Sequence, residues 1–195
     1  MIKNILYLLL FVIVPINLKA QTNSPELLPI PKEWRYERMN FPLEFAPEIK
    51  LSGFEELRFA PGMFNITAED YFTYIFALKI TNKIELNKNE LHDFLLQYYK
   101  GLSESVAKSK KIEVDASSTK VILEEPVGDN QNIYRVQVNF FDTFTNSQEI
   151  LLHMEIEVFP KKDMNEVYLL ALVSPQEKNH EVWKQMHNYR NQLDF

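Results

Sequence analysis

Three strand-like stretches in the C-terminal half of the chain constrain the fold more than any other feature. Between Ile133 and Phe144, apolar side chains recur at every second position, as in a strand with one buried face. A second stretch follows the turn at 145–147 and carries Ile150, Leu152, Met154, Ile156 and Val158 on its inner face. The third, Val167–Val173, is apolar on both faces, as a central strand would be. Because short turns connect these strands, the pattern predicts antiparallel pairing.

The other predicted elements are two helices and several short strands. Asn87 and Glu90 form a capping box, and an apolar stripe at helical spacing follows from Leu91 to Val106. Gly101 within this helix indicates close packing against the sheet. A second capping box at 174–177 predicts a C-terminal helix, whose apolar stripe is Val182, Trp183, Met186, Tyr189 and Leu193. Further strands are predicted at 54–59, 70–80, 112–114 and 120–124.

These elements together predict the α+β class, with an antiparallel sheet of about six strands and two main helices packed on it. The element order resembles that of a PsbP-like αβα sandwich. The resemblance in order implies a helix layer on one or both faces of the sheet.

The first 20 residues have the composition of a secretory signal peptide. Lys3 precedes an apolar run from Ile5 to Ile16, and Ala20 supplies a small residue at the expected cleavage point. The run is shorter than the roughly 20 residues that a transmembrane helix needs. We therefore expect export to the periplasm or exterior of a bacterium, with no membrane span after signal cleavage. Prolines and the absence of glycine at 21–47 predict a Pro-rich extended arm, and residues 48–195 are expected to form a single α+β domain.

The composition excludes several kinds of site and partner. The chain has no cysteine, so a lipoprotein anchor, disulfides and thiolate chemistry are excluded. A net charge of −6 without a strong basic cluster disfavours nucleic acid as a partner. His180 and His187 are seven positions apart on one predicted helix, about 10 Å, which is too far for two ligands of one zinc ion. No glycine-rich phosphate loop is present. The sequence therefore predicts no cofactor and no metal.

The segment from Gly53 to Phe64 combines turn-forming residues with large apolar and charged side chains. It contains the string E-E-L-R-F-A-P-G-M-F, with Glu69-Asp70-Tyr71-Phe72 and Tyr74 after it, and F-P-L-E-F-A-P lies upstream at 41–47. These residues resemble a segment of a family of uncharacterised exported bacterial proteins. The resemblance covers about a third of the chain, and it implies export but no activity.

Four charged residues near this segment are the candidate ligand or ion-pair cluster: Glu56, Arg58, Glu69 and Asp70. Glu56 and Arg58 share one face of a predicted strand, and a turn that folds back would bring the other two close. One interpretation is structural pairing of Arg58 with the carboxylates, in which case its loss should matter less in acid. The other is an active or ligand site, since carboxylates in different environments can act as acid and base.

Two classes of function remain open at this stage. The first is a non-catalytic binding or accessory module, acting on an unknown protein or small-molecule ligand. The second is a hydrolase that uses the carboxylates around Arg58. Exposed aromatic side chains in a carbohydrate site are a further possibility, with Trp34, Tyr36, Tyr98, Tyr99 and Trp183 as candidates.

Overall fold

The computed structural model describes residues 25–124 and 132–195, so the predicted signal peptide lies outside the described residues. Within these ranges the chain forms seven strands and two α-helices. The strands are β1 (Arg35–Asn40), β2 (Gly53–Phe59), β3 (Tyr74–Ile80), β4 (Lys120–Leu123), β5 (Ile133–Asp142), β6 (Gln148–Lys161) and β7 (Glu166–Ser174). The helices are α1 (Lys88–Lys110) and α2 (Glu181–Arg190).

All seven strands belong to one antiparallel sheet with the order β1-β2-β3-β7-β6-β5-β4. This confirms the predicted α+β class and antiparallel pairing, with seven strands instead of about six. The doubly apolar strand β7 occupies the middle of the sheet, as its pattern predicts, and pairs with β3 and β6.

The two faces of the sheet bury separate apolar clusters. On one face, α1 packs through Leu91, Leu95 and Tyr99 against alternate residues of the strands. On the other face, Val182, Trp183 and Met186 of α2 pack on Ile75, Ala77, Leu170 and Leu172. Leu28 and Trp34, which precede β1, belong to the second cluster. The sheet is thus covered by α1 on one side and by α2 with the segment 26–34 on the other.

The start of α1 agrees with the sequence, but its glycine has a different role from the expected one. Asn87 accepts a hydrogen bond from the Glu90 N–H, and the Glu90 carboxylate accepts one from the Asn87 N–H, which completes the predicted capping box. A Cβ atom on Gly101 would lie 2.2 Å from the carbonyl oxygen of Phe45. Gly101 therefore permits close approach of the segment 41–47, and not of the sheet.

Three further local expectations are wrong. Residues 112–114 do not form a strand, and the strand predicted at 70–80 begins only at Tyr74. The segment predicted as an extended arm also contains the edge strand β1, whose charged side chains and flanking prolines give no strand pattern in the sequence. The last helix begins at Glu181 rather than after Ser174, and its N-cap is His180, whose Nδ1 accepts a hydrogen bond from the Val182 N–H at 3.2 Å.

Across the described ranges, no helix combines the length and the hydrophobicity that crossing a membrane would require.

Candidate functional site

The adjacent glutamates of β2 point to opposite faces of the sheet, and both are fully buried. On the α2 face, Glu56 Oε2 accepts hydrogen bonds from the N–H groups of Leu27 and Leu28, at 2.7 and 2.9 Å. Its Oε1 lies 3.2 Å from Nη1 of Arg38. Glu56 therefore holds the segment before β1 against the sheet.

Arg58 binds the same segment from the next position on that face. Its Nε donates to the carbonyl oxygen of Leu28 at 2.9 Å, and Nη1 donates to that of Trp34 at 3.4 Å. Its ion-pair partner is Glu26, at 3.4 Å, with a side chain that is 51% exposed. Glu56 and Arg58 are thus brought together, but both are engaged with the polypeptide itself.

We expect Arg58→Met to lower the free energy of unfolding by about 2 kcal/mol, because two main-chain carbonyls lose a buried donor. Contrary to the expectation from the sequence, the loss should be similar at pH 4.5 and pH 7, because carbonyls supply most of the contacts. Urea unfolding at both pH values measures this. Arg35→Met is the control, since the Arg35 side chain is 67% exposed. Equal stability of the Arg58→Met protein and the wild type would contradict the structural role.

Glu69 and Asp70 lie elsewhere, in an open polar cavity of about 500 Å³ at the start of α2. Asp70 Oδ2 accepts a hydrogen bond from the Gly62 N–H at 3.0 Å, which closes the turn after β2. The remaining lining residues are His180, Glu181, Val182, Gln185 and Asn188. The four residues of the predicted cluster therefore contribute to two different places. Within the described ranges, no group of three acidic or histidine side chains is arranged to hold a metal ion.

The polar side of β6 is covered in part by α2. Glu155 accepts a 2.6 Å hydrogen bond from His187 and pairs with Lys178 at 3.2 Å. Although burial acts to raise the pKa of Glu155, these two partners bring it below its ordinary value. Burial lowers the pKa of Lys178 to about 8.

Four of the five aromatic residues considered for a carbohydrate site are buried: Trp34, Tyr98, Tyr99 and Trp183. They therefore do not form an exposed surface on which a sugar could stack.

The most ligand-like feature lies on the α1 face, and we call it the aromatic cavity. It has a volume of about 300 Å³ and is bounded by β1, β2, β3, α1 and the turn 61–72. Seven aromatic rings line it: Phe45, Phe59, Phe64, Phe72, Tyr74, Tyr98 and Phe144. Leu57, Leu102, Met39 and Met63 add further apolar surface, and Arg35 and Glu37 are the charged lining residues. An apolar, concave wall with few polar groups is typical of small-molecule sites.

One wall of the aromatic cavity has an unusual backbone conformation. Phe72 has φ of 48°, in the left-handed region that bulky residues rarely adopt. Its N–H donates to the carbonyl oxygen of Met63 at 3.1 Å, and its ring packs edge-to-face on Phe140. The conformation costs on the order of 1 kcal/mol and places the ring between the core and the cavity.

A buried carboxyl group lies behind the cavity wall. Tyr98 lines the cavity, and its hydroxyl donates to Glu55 Oε1 at 3.1 Å. Glu55 Oε2 has no hydrogen-bond partner among the described residues. Burial raises the pKa of Glu55 to about 8, and the charge of Glu37 acts in the same direction. Glu55 is therefore a neutral acid at pH 7.

A pair of hydrogen-bonded tyrosines adjoins Tyr98 and Glu55. Tyr74 also lines the cavity, and its hydroxyl hydrogen bonds with that of Tyr99. Burial raises the pKa of both phenols well above the ordinary value. These tyrosines remain protonated at neutral pH and provide hydrogen-bonding groups inside an apolar surrounding.

The sequence interpretation missed Glu55, although it selected its neighbour Glu56. The period of two along β2 places Glu55 on the same face as Leu57 and Phe59. That alternation was the available signal for a carboxyl group directed into the core. The approach of Tyr98 from α1 depends on tertiary packing, which has no local sequence signature.

No family model, curated protein or solved structure matches the chain. The functional proposal therefore rests on the aromatic cavity and its surroundings.

Proposed function

We propose that the protein is a non-catalytic binding module for a small, ring-bearing apolar ligand, and that the aromatic cavity is its binding site. The observation that supports this most strongly is a 300 Å³ cavity with seven aromatic rings in its lining. A cavity of about 150 Å³ can hold benzene, so this one suits a ligand of one or two rings. Aromatic and methionine side chains match such a ligand in shape and polarisability.

Hydrogen-bonding groups at the cavity support selectivity within that class. Burying a ligand against apolar walls supplies most of its affinity, whereas a few polar groups select its orientation. Tyr74 and Tyr98 are the buried polar side chains in the lining. Arg35 and Glu37 belong to the edge strand β1, and their side chains are 67% and 39% exposed. We place the ligand's ring against the phenylalanines and its polar group towards the tyrosines.

Export of this module is part of the proposal. It rests on the signal-like composition of residues 1–20 and on the resemblance to exported bacterial proteins. A PsbP-like relationship is compatible with a sheet that carries helices on both faces, and it rests on that arrangement alone.

A hydrolase is the alternative function, and the contacts of its candidate residues support it less. Glu56 and Arg58 already bind the segment before β1, and Asp70 binds the turn after β2. A catalytic pair needs carboxylates within reach of one substrate bond. Glu69 and Asp70 in the open polar cavity are the residues on which this alternative now depends.

Binding of 2-phenylethanol, a neutral single-ring probe, tests the proposal. We expect saturable chemical-shift changes in NMR spectra, concentrated at Phe64, Phe72 and Phe144. Leu102→Trp should weaken binding at least tenfold, because Leu102 lies in the cavity wall and the indole would fill the space. The measurement is an NMR titration of both proteins.

Leu96→Trp is the matched control for that experiment. Leu96 is also a partly buried leucine of α1 that packs on the same core, but it does not line the cavity. It should leave probe binding within twofold of the wild type. Absence of saturable binding, or equal effects of the two tryptophan substitutions, would contradict the proposal.

A further inference from the structure

Glu55 lies next to the aromatic cavity, yet the hydrophobic fit to a ring does not explain its presence. We infer that the cavity selects ring-bearing amines, with the ligand's ammonium group held among the aromatic faces and its charge balanced by Glu55 through Tyr98. This inference rests on the proposed binding function and names the chemical class of the ligand.

The lining of the cavity suits an organic cation. An ammonium group is attracted to the faces of aromatic rings within about 6 Å, and more strongly where water is excluded. The Arg35 guanidinium of the protein itself already makes such contacts at the cavity. Arg35 lies 5.8 Å from the ring centroid of Phe59 and 3.5 Å from the carboxylate of Glu37. A ligand ammonium entering the cavity would meet the same two kinds of group.

The charged residues of the lining do not oppose the entry of a cation. Burial is the main cause of the raised pKa values of Glu55 and Tyr98, and the negative charge of Glu37 acts on both in the same direction. The net charge of Arg35 and Glu37 together is zero, and Glu55 is uncharged at pH 7. The lining residues therefore supply no net charge that would favour an anion, whereas a bound cation can be paired by ionisation of Glu55.

The geometry around Glu55 provides the balancing charge. Glu55 is fully buried, and Oε2 has no hydrogen-bond partner in the described part of the chain. Its cross-strand neighbour Met39, its same-face neighbour Leu57 and its hydrogen-bond partner Tyr98 all line the cavity. One side chain thus separates Glu55 from the ligand space. The titratable groups around it are Glu37 of β1, Tyr74 of β3, and Tyr98 and Tyr99 of α1.

Binding of a protonated amine should displace one proton from the protein. The ammonium group donates to the Tyr98 hydroxyl oxygen, and that hydroxyl donates to Glu55. Glu55 loses its acid proton to solvent, and the ligand keeps its own proton, so one charge enters and one proton leaves. Because the pKa of Glu55 is about 8, the apparent affinity should fall about tenfold for each pH unit below 8 and level off above it.

A matched pair of probes tests this inference: 2-phenylethylamine and its neutral isostere 2-phenylethanol. At pH 7.5 we expect the amine to bind at least tenfold more tightly than the alcohol. Titration calorimetry at pH 6.5 in two buffers of different ionisation enthalpy should show release of about one proton per amine. The alcohol should show neither proton release nor the pH dependence.

Two glutamine substitutions in the same strand separate the roles of the adjacent glutamates. Glu55→Gln should abolish proton release and the pH dependence of amine binding. Glu56→Gln should retain both, since Glu56 lies on the opposite face of the sheet. Equal affinities for amine and alcohol, without proton release in the wild type, would overturn the inference and leave the proposed function intact. Failure of both probes to bind would overturn both. The calorimetric result on the wild type decides the inference even if Glu55→Gln does not fold.

Discussion

Replacing Trp183 with alanine should lower the free energy of unfolding by about 3–5 kcal/mol, the usual range for removing a buried tryptophan. For a chain of this length the loss corresponds to a decrease of roughly 10 °C in the unfolding temperature. Trp183 is fully buried, and its indole N–H donates to the carbonyl oxygen of Gln176 at 2.8 Å. The Lys178 ammonium also lies 3.1 Å from the ring centroid. Alanine removes the apolar contact and both polar ones.

Differential scanning calorimetry measures this effect, with Lys184→Ala as the control on the same helix. The Lys184 side chain is 68% exposed, so its removal should change stability by less than about 0.5 kcal/mol. A change below one degree for Trp183→Ala would mean that α2 is an exposed partner-binding element, in contradiction to its packing on the sheet.

Glu55→Gln should change how stability depends on pH. The pKa of Glu55 is raised from 4.5 to about 8 by burial, so the folded protein holds a proton that the unfolded chain releases. This contribution to stability is fully present below pH 4.5 and is lost as the pH rises through 8. The loss is about 1.4 kcal/mol per pH unit within that window, or on the order of 5 kcal/mol in total.

The glutamine side chain of the Glu55→Gln protein does not ionise. The decrease in the free energy of unfolding between pH 4.5 and pH 8 should therefore be absent. The variant should be less stable than the wild type or equal to it at pH 5, and more stable by roughly 2–4 kcal/mol at pH 8.5. Urea unfolding at pH 5, 6.5 and 8.5 gives the comparison. Glu85→Gln, at an exposed glutamate before α1, is the control and should follow the wild type. Parallel curves for Glu55→Gln and the wild type would show that Glu55 is ionised in the folded protein at neutral pH.

The sheet was predictable where local patterns and tertiary burial agree. In β5 and β6, one face is buried and the other is more polar, so the alternation gave both the strands and their inner residues. The uniformly apolar β7 was correctly placed at the centre for the same reason. Asn87 and Glu90 gave the start of α1, because a capping box is a local feature.

The errors arose where packing over long sequence distances decides the structure. The edge strand β1 has mostly charged and polar residues, and its register with β2 comes from pairing rather than from its own alternation. The motif at 174–177 matched a capping box, yet the chain turns there so that Trp183 can reach the carbonyl of Gln176. The pairing of Glu155 and Glu157 with α2 has no local sequence signal, because the docking of α2 on β6 is not visible in either segment alone.

The candidate site was predicted only in part. Glu56 and Arg58 were predicted as site residues because β2 is rich in charged side chains. In the structure both bind the segment before β1. The aromatic cavity joins residues from positions 35 to 144, and no local pattern brings them together. Its existence follows from the way α1 and the turn after β2 meet over the sheet.

Intermolecular nuclear Overhauser effects between bound 2-phenylethylamine and the protein test the location of the site most directly. We expect contacts from the probe's ring protons to the side chains of Phe72, Phe144 and Met63, which line the aromatic cavity. Contacts instead to Val182 and Gln185 would place the probe in the polar cavity beside Glu69 and Asp70. That result would contradict the assignment of the aromatic cavity as the binding site.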